Sequence, residues 1–518
     1  MNIFLAFSDA AKYADIARNL VNGLGYGNKF SFFGDGVFGG ISKQLFYNFD
    51  VLPVTPYSIA GFFRLFGTND FAVMATSFFY YILTLIFTYL FAKKLFNLKL
   101  AGFLSALAVG FNKDIITYAT GGASESPFMF EIVAACYFVS LKKGWSNIVA
   151  LILLVLMYFT RPQAFIYIAG IILFYLIINL KIKKALIAFA GVVVLSFLID
   201  CFVLKPISGQ SFLYSVIGRG MGASFNQSST ASDVLRGATN VASSGLSQIA
   251  KNIFYNLYNF FKLMPQIMSP YLFGLFTIGL FLKSKTKKES SFKWVGFFMV
   301  ILTFLITASS IPFFRYLHPV VPIVYIIAIG TIVNILESRF ENCGLKNFRN
   351  TCLIAASIFL VLVFGVGQTV GNLILDSRYE RNTHNTGKPP VYVELSKILS
   401  ENTKTNDVVI TNLDTWGSWY GERRTVWFPI EPKQLIDPST GKIPFDAIYL
   451  TSYQIDDANY YMGESWRLIF NNPDDSKKWT CDGCIEIAKE FTLKNVYFVD
   501  QNDNYERMGT KAILLIKK

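Results

Sequence analysis

The chain has 518 residues, 53% of them hydrophobic and only 16% charged, with 51 Phe and 27 Tyr. A soluble chain carries closer to about a quarter charged residues, so the composition excludes an ordinary soluble enzyme and indicates a polytopic membrane protein. The formal charge of +13 does not indicate nucleic acid, because the basic residues sit in short clusters between apolar runs, the pattern of membrane topology signals.

Met1 to Phe7 is apolar but has no basic flank and is far shorter than the roughly 20 residues that span a bilayer. The expectation is that a first spanning helix precedes Met1, with a short re-entrant or surface segment as the alternative. An opening loop, 8–69, follows. It runs from SDAAKYADIARNLVNGLGY through a Gly-rich aromatic stretch to LPVTPYSIAGFFRLFG. This loop is too polar to span, yet it carries Asp9 and Asp15 beside apolar helix, and acids held at a membrane edge are costly and usually functional. Asp9 has two readings, a catalytic base or an N-cap for the helix that follows it, since Asp is a favoured cap.

Apolar runs of helical length then recur at 70–92, 98–112, 124–141, 146–160, 162–180, 185–205, 264–283, 294–311, 316–336 and 351–375, about ten spans. Pro162, directly after Arg161, fits the first turn of a new helix, where its missing N–H costs nothing. Alternate connections are rich in lysine and arginine: Lys93, Lys94 and Lys99; Lys142 and Lys143; Lys181 to Lys184; Lys283 to Lys293; Arg339 to Arg349. The intervening connections hold little beyond Lys113, Arg161 and Arg315. The positive-inside rule places the first set in the cytoplasm. The opening loop, a long loop at 205–263 and everything after Asp376 then share the outer face.

The long loop begins rich in Gly and Ser and ends in QIAKNIFYNLYNFFKL, where Ile249, Ile253, Leu257 and Phe260 recur at helical spacing. That is an interfacial helix pattern, read either as part of a lid over a membrane-level site or as a plain surface loop. From Asp376 the apolar runs shorten to DVVITN, RTVWFP, DAIYLT, NVYFVD and AILLIK, with the helical VYVELSKILSEN before them. Residues 377–518 therefore read as an extracytoplasmic α/β domain, and 1–376 as the membrane core. Cys481 and Cys484 form a CxxC in that domain. The two histidines, His318 and His384, complete no plausible zinc set with them, so a disulfide is expected.

The outer ends of the spans collect the residues able to carry chemistry. Asp9 and Asp15 lie in the opening loop, Lys113 and Asp114 in a connection, Glu125 at the head of SESPFMFEIVAACYFV, Arg161 between two runs, and Arg315 at the start of RYLHPVVPIVYI. Each has a bland reading: basic residues at helix ends snorkel to headgroups, and a first-turn Glu complements the helix dipole. Convergence on one face favours the functional reading.

The run from Asp9 and Tyr13 to Asn19-Leu-Val and Gly23-Leu-Gly-Tyr26, the segment RLFGTNDFA, and the motifs SESPFMF, TRPQAFIY, RYLHPVVP, YGERRTVWFP and FDAIYLTS resemble those of polyprenyl-phosphate-sugar glycosyltransferases. These are the GT-C-type enzymes, including protein O-mannosyltransferases and the lipid A aminoarabinose transferase. The resemblance covers most of the chain in order and implies a GT-C-like helical core. It also implies that the acid following the first span, here Asp9, is the catalytic base. Protein mannosyltransferases carry an Asp-Glu pair there, whereas this chain has Asp9-Ala10, a departure from that subgroup.

The implied reaction moves a sugar from a lipid-phosphate carrier to a lipid, glycan or protein acceptor, with inversion. A phosphate leaving group needs no general acid, so one base suffices. The phosphate needs fixed positive charge, for which Arg315, Arg161 and Lys113 are the candidates. Glu125 and Asp15 are candidates to orient the acceptor or hold a divalent metal ion, a cofactor that stays open at this point. A transporter or flippase of lipid-linked glycans is the first rival; such proteins often show internal inverted repeats, and none is visible here. A non-enzymatic receptor or assembly protein is the second.

Overall fold

The computed structural model describes residues 3–34, 37–46, 51–179, 182–208, 211–212, 246–309, 312–340, 346–367, 386–387, 389–453, 462–499 and 509–518. Helix α1 (Ser8–Val21) opens the chain, followed by α2 (Val54–Phe66) and α3 (Asp70–Phe96). Asn69 caps α3 through its side chain, which accepts from the Ala72 N–H at 2.9 Å. At 27 residues, α3 is about 40 Å long and clears the roughly 30 Å hydrocarbon core.

Next come α4 (Lys99–Gly110), α5 (Lys113–Gly121), α6 (Glu125–Leu141), α7 (Gly144–Tyr158), α8 (Ala164–Asn179) and α9 (Ile182–Ile199). The long loop's last segment is α10 (Leu246–Lys262), and the core closes with α11 (Pro270–Phe281), α12 (Lys287–Ser309), α13 (Val321–Phe340) and α14 (Lys346–Val361).

Each of the ten expected runs is mainly helical over its described residues, but the span count is smaller by length and composition. Among the described residues three helices, Asp70–Phe96, Lys287–Ser309 and Phe314–Glu337, are long and apolar enough to cross a membrane, or up to four if a bent pair is one span. That pair is α4 and α5, which meet at 65°. Lys113 and Asp114, expected in a connection, instead head α5, because the Asn112 side chain caps it by accepting from the Ile115 N–H at 3.1 Å. Helix α8 likewise opens at Ala164, two residues beyond Pro162.

Helix α3 packs on α4 and α6, and α13 crosses α11 and α4. Close approach depends on small residues: a Cβ on Gly330 of α13 would lie 2.0 Å from the Phe96 ring. Helix α10 turns Phe260 inward against Phe304 and Phe314 while Phe254, Tyr255 and Tyr258 stay exposed, the two-faced burial expected of it. The Gly- and Ser-rich part of that loop, 213–245, lies outside the described residues.

All five apolar runs after Asp376 become strands: β2 (Val408–Thr411), β3 (Arg424–Trp427), β4 (Ala447–Thr451), β5 (Phe491–Val499) and β6 (Thr510–Lys517). The sheet order is β1-β3-β2-β4-β6-β5, parallel from β1 to β4 and antiparallel beyond it. Its first strand, β1 (Phe30–Phe32), comes from the opening loop, with Phe30 opposite Thr425.

Alternation along the strands divides the two faces. Val408, Ile410, Ile448 and Leu450 pack around Trp466, whereas Val409, Ala447 and Tyr449 face Tyr392, Leu395 and Trp416. The second core continues into α1 through Ala10, Ala11, Ala14 and Ala17, all 0% exposed. Small side chains thus bring α1 close beneath the sheet domain. Cys481 and Cys484 are joined as a disulfide.

Candidate active site

Asp9 lies in the first turn of α1, but the N-cap position is Phe7, whose side chain makes no cap bond. The capping alternative for Asp9 is therefore overturned. Its carboxylate is held by a residue 306 positions away: Arg315 Nη2 donates to Asp9 Oδ2 at 2.7 Å. Arg315 occupies a 3₁₀ turn, Phe314–Tyr316, and its Nε donates to Glu125 Oε1 at 3.0 Å. Arg161, in the turn between α7 and α8, donates through Nη1 to the same Oε1 at 2.7 Å and to Ser124 Oγ at 2.9 Å.

Four of the six predicted residues thus form one chain, Asp9–Arg315–Glu125–Arg161, two acids and two bases of zero net charge. Its two ends differ in access. Side-chain exposure is 42% for Asp9 and 32% for Arg315, against 0% for Glu125 and 6% for Arg161. Asp9 and Arg315 are therefore the members that a ligand from solvent can reach, and the Glu125–Arg161 pair is closed off.

The local geometry follows from the elements. Gly122 ends α5 in the left-handed region (φ +81°), and a Cβ there would lie 2.8 Å from Val73 and 3.0 Å from Ala10. That tight turn delivers Ser124 and Glu125 against α1. Tyr13, one turn after Asp9, shares a 3.3 Å hydrogen bond with Ser124 Oγ. The Tyr316 ring lies beside both guanidinium groups, 5.5 Å from Arg161 and 5.8 Å from Arg315.

Enclosure by its neighbours pushes the Asp9 carboxyl up, but Arg315, through charge and hydrogen bond, and then Lys12 and Arg161 outweigh it and hold the group below the ordinary carboxylate value. The Asp9 side chain is nonetheless reached by solvent. Burial, then the Asp9 charge, pushes the Tyr13 phenol up, so it remains a neutral hydrogen-bond donor.

Asp15 joins a different cluster. It pairs with Arg18 and accepts from the Lys29 backbone N–H at 2.6 Å. Arg18 in turn donates to the carbonyls of Ser418 at 2.7 Å and Trp419 at 3.1 Å, and stands 4.8 Å from the Trp419 ring. Asp70 accepts from Trp419 Nε1 and Tyr420 Oη, each at 2.7 Å. Asp15 therefore ties α1 to the sheet domain and lies apart from the Arg315 array.

Lys113 heads α5 beside Asp114, whose Oδ2 lies 3.4 Å from His318 Nε2. His318 is 2% exposed, and its Nδ1 is 2.8 Å from Tyr118 Oη while Nε2 is 3.3 Å from the Gln266 carbonyl. The imidazole thus joins α5 to the 3₁₀ turn His318–Val320, directly after the one that carries Arg315. Sequence reading passed over this role; the one visible signal is a histidine inside the apolar run RYLHPVVP.

Residues 50–202 match the family model described as dolichyl-phosphate-mannose-protein mannosyltransferase. An uncharacterized protein of Aquifex aeolicus (strain VF5) is 28% identical over 337 residues, 62% of this chain and 60% of that relative. The chain thus spans about three-fifths of the curated relative it matches. Among solved structures, the Archaeoglobus fulgidus oligosaccharyltransferase in complex with zinc and sulfate aligns over 97% of this chain and 69% of its own, at 14% identity and a TM-score of 0.57. Its apo form aligns over 96% and 70%, at 13% and 0.56. ArnT from Cupriavidus metallidurans bound to undecaprenyl phosphate aligns over 99% and 94%, at 10% and 0.52. At these identities the likeness is one of fold.

A metal does not fit the carboxylates as arranged here. Asp9 and Glu125 are each bound to arginine, and among the described residues no three His, Cys, Asp or Glu side chains converge.

Proposed function

We propose that this chain, which has the fold of the GT-C membrane glycosyltransferases, moves a sugar from a polyprenyl-phosphate carrier to a hydroxyl acceptor. The observation that carries this reading is the Asp9–Arg315 pair at the mouth of the buried Glu125–Arg161 pair. Such a transfer needs one base and one fixed cation, and both stand side by side at the solvent-reached end of the array.

The acceptor O–H gives its proton to Asp9 while its oxygen attacks the anomeric carbon from the face opposite the phosphate. The bond from that carbon to the phosphate oxygen breaks with inversion, and the lipid phosphate leaves as an anion held by Arg315. Arg supplies planar, always-charged donors suited to phosphate oxygens. Glu125 and Arg161 hold Arg315 and its turn in register, and Lys113 is a second cation at the same end of the bundle. The ten-span topology, with the Asp9 site and the α/β domain on the outer face, is part of the same reading. It is supported by β1 and α1 of the opening loop packing into the C-terminal domain.

The purified chain in liposomes, given a radiolabelled polyprenyl-phosphate sugar and a crude envelope acceptor fraction, should move label off the lipid carrier. Carrier that stays fully labelled, with the lipid itself bound or translocated, would replace the transferase reading by the transporter reading.

A further inference from the structure

The same contact that defines the site poses a chemical problem: the base is bound by the cation meant for the phosphate. A carboxylate in a charge-assisted hydrogen bond to Arg is a weak proton acceptor. From this geometry we propose that the donor's own phosphate unmasks the base, by drawing Arg315 off Asp9 and onto its oxygens, so that the acceptor is deprotonated only when donor is bound. This rests on the glycosyl-transfer reading above.

Three observations favour Arg315 as the moving part. It and Asp9 are the accessible members of the array, at 32% and 42%, so an entering phosphate meets this contact before any other. Glu125 does not depend on Arg315, because Arg161 holds the same Oε1 at 2.7 Å. The Glu125–Arg161 pair therefore stays neutralised when Arg315 turns. Finally, Arg315 sits on a three-residue 3₁₀ turn and not within a long helix, and a guanidinium swings on several side-chain bonds without backbone movement.

The groups facing Asp9 decide the sign. Lys12 and Tyr13 lie on its own helix; Arg315, Glu125 and Arg161 face it from the membrane core. From the sheet domain, Thr415 Oγ1 donates to the Ser8 carbonyl at 2.5 Å and brings Asp414, which accepts from the Thr415 N–H, to this side, while Asp70 of α3 is occupied by Trp419 and Tyr420. With the array neutral, a phosphodiester adds one negative charge and removes one cation from Asp9. Both changes raise the proton affinity of the carboxylate, toward the range where a general base works best. Donor binding should therefore take up protons at mildly acidic pH.

The test is isothermal titration of the detergent-solubilised chain with a polyprenyl methyl phosphodiester, which keeps a single charge throughout. It is run at pH about 5, above the ordinary aspartate value of about 3.9, in two buffers of different ionisation enthalpy. Wild type should take up a measurable fraction of a proton per ligand bound. Asp9→Asn should bind with no uptake, and Arg315→Gln should bind at least about tenfold more weakly, with a smaller uptake than wild type because only the phosphate charge is left to act on Asp9. Proton-neutral binding by wild type would overturn the unmasking and leave the donor reading standing. Uptake that persists in Asp9→Asn, or unweakened binding by Arg315→Gln, would overturn it as well. No binding by wild type would overturn the donor reading and the unmasking together.

Discussion

At the scale of single residues, the buried end of the array is held by Arg161 and the exposed end by Arg315, and the two should respond differently to mutation. Removing one partner of a buried ion pair leaves an uncompensated charge, which costs roughly 3–5 kcal/mol. Arg161→Met strips Glu125, 0% exposed, of one of its two cations, and removes the Arg161 hydrogen bond to Ser124. A loss toward the lower end of that range is expected, read as a lowered thermal midpoint in detergent. Arg315→Gln, at a solvent-reached position, should unfold close to wild type while losing donor affinity. Equal midpoints for wild type and Arg161→Met would show that the Glu125–Arg161 pair is not structural.

These residues were legible one at a time and not as a set. Asp9, Glu125, Arg161 and Arg315 stood out because charge at the end of an apolar run is costly. What the sequence could not display is that Arg315 reaches both acids across separations of 306 and 190 residues. Asp15, an acid of the same helix and a candidate to orient the acceptor or hold a metal, faces the Ser418–Trp419 carbonyls through Arg18 instead. On a helix, positions 9 and 15 lie on different faces, and only the packing partners decide which face meets which neighbour.

At the scale of elements, local signals served well where they were local. Asn69 and Asn112 cap helices as their type prescribes, and the alternating runs after Asp376 became strands. The failures are tertiary. β1, with the sequence Phe-Ser-Phe among glycines, reads as loop; it becomes an edge strand because β3 offers it a partner. The 65° bend between α4 and α5 likewise leaves no mark beyond Asn112.

Gly122 is the sharpest test at this scale. A side chain there must adopt φ +81° and meet Val73 and Ala10 at 2.8 and 3.0 Å, and the left-handed backbone alone costs about 1–2 kcal/mol. Gly122→Ala should lower both the thermal midpoint and the transfer rate, because the overlap pushes α1 away from Ser124 and Glu125. Unchanged stability with unchanged rate would show that this turn does not set the site.

At the scale of the whole molecule, α1 joins two bodies. Its alanine face is buried in the sheet domain's core, and its Asp9 edge closes on residues from α6, the α7–α8 turn and the Arg315 turn. The opening loop and the C-terminal domain therefore occupy one end of the bundle, as the alternation of lysine clusters requires. A cysteine replacing Lys287 in intact cells should react with an impermeant maleimide only after permeabilisation. One replacing Lys478, 61% exposed, should react from outside. Labelling of both from the same side would overturn the orientation proposed for the Asp9 site.

The central claim is that Asp9 takes the acceptor's proton. Asn keeps the size of Asp and a hydrogen-bonding oxygen for Arg315, yet it cannot act as the base, and loss of a general base typically costs about 10²–10⁴-fold in rate. The measurement is sugar transfer from a labelled polyprenyl-phosphate sugar by wild type and Asp9→Asn, side by side in liposomes, with donor binding measured on both. Normal expression and donor binding with transfer reduced at least about a hundredfold is the result expected; transfer by Asp9→Asn at near the wild-type rate would contradict it.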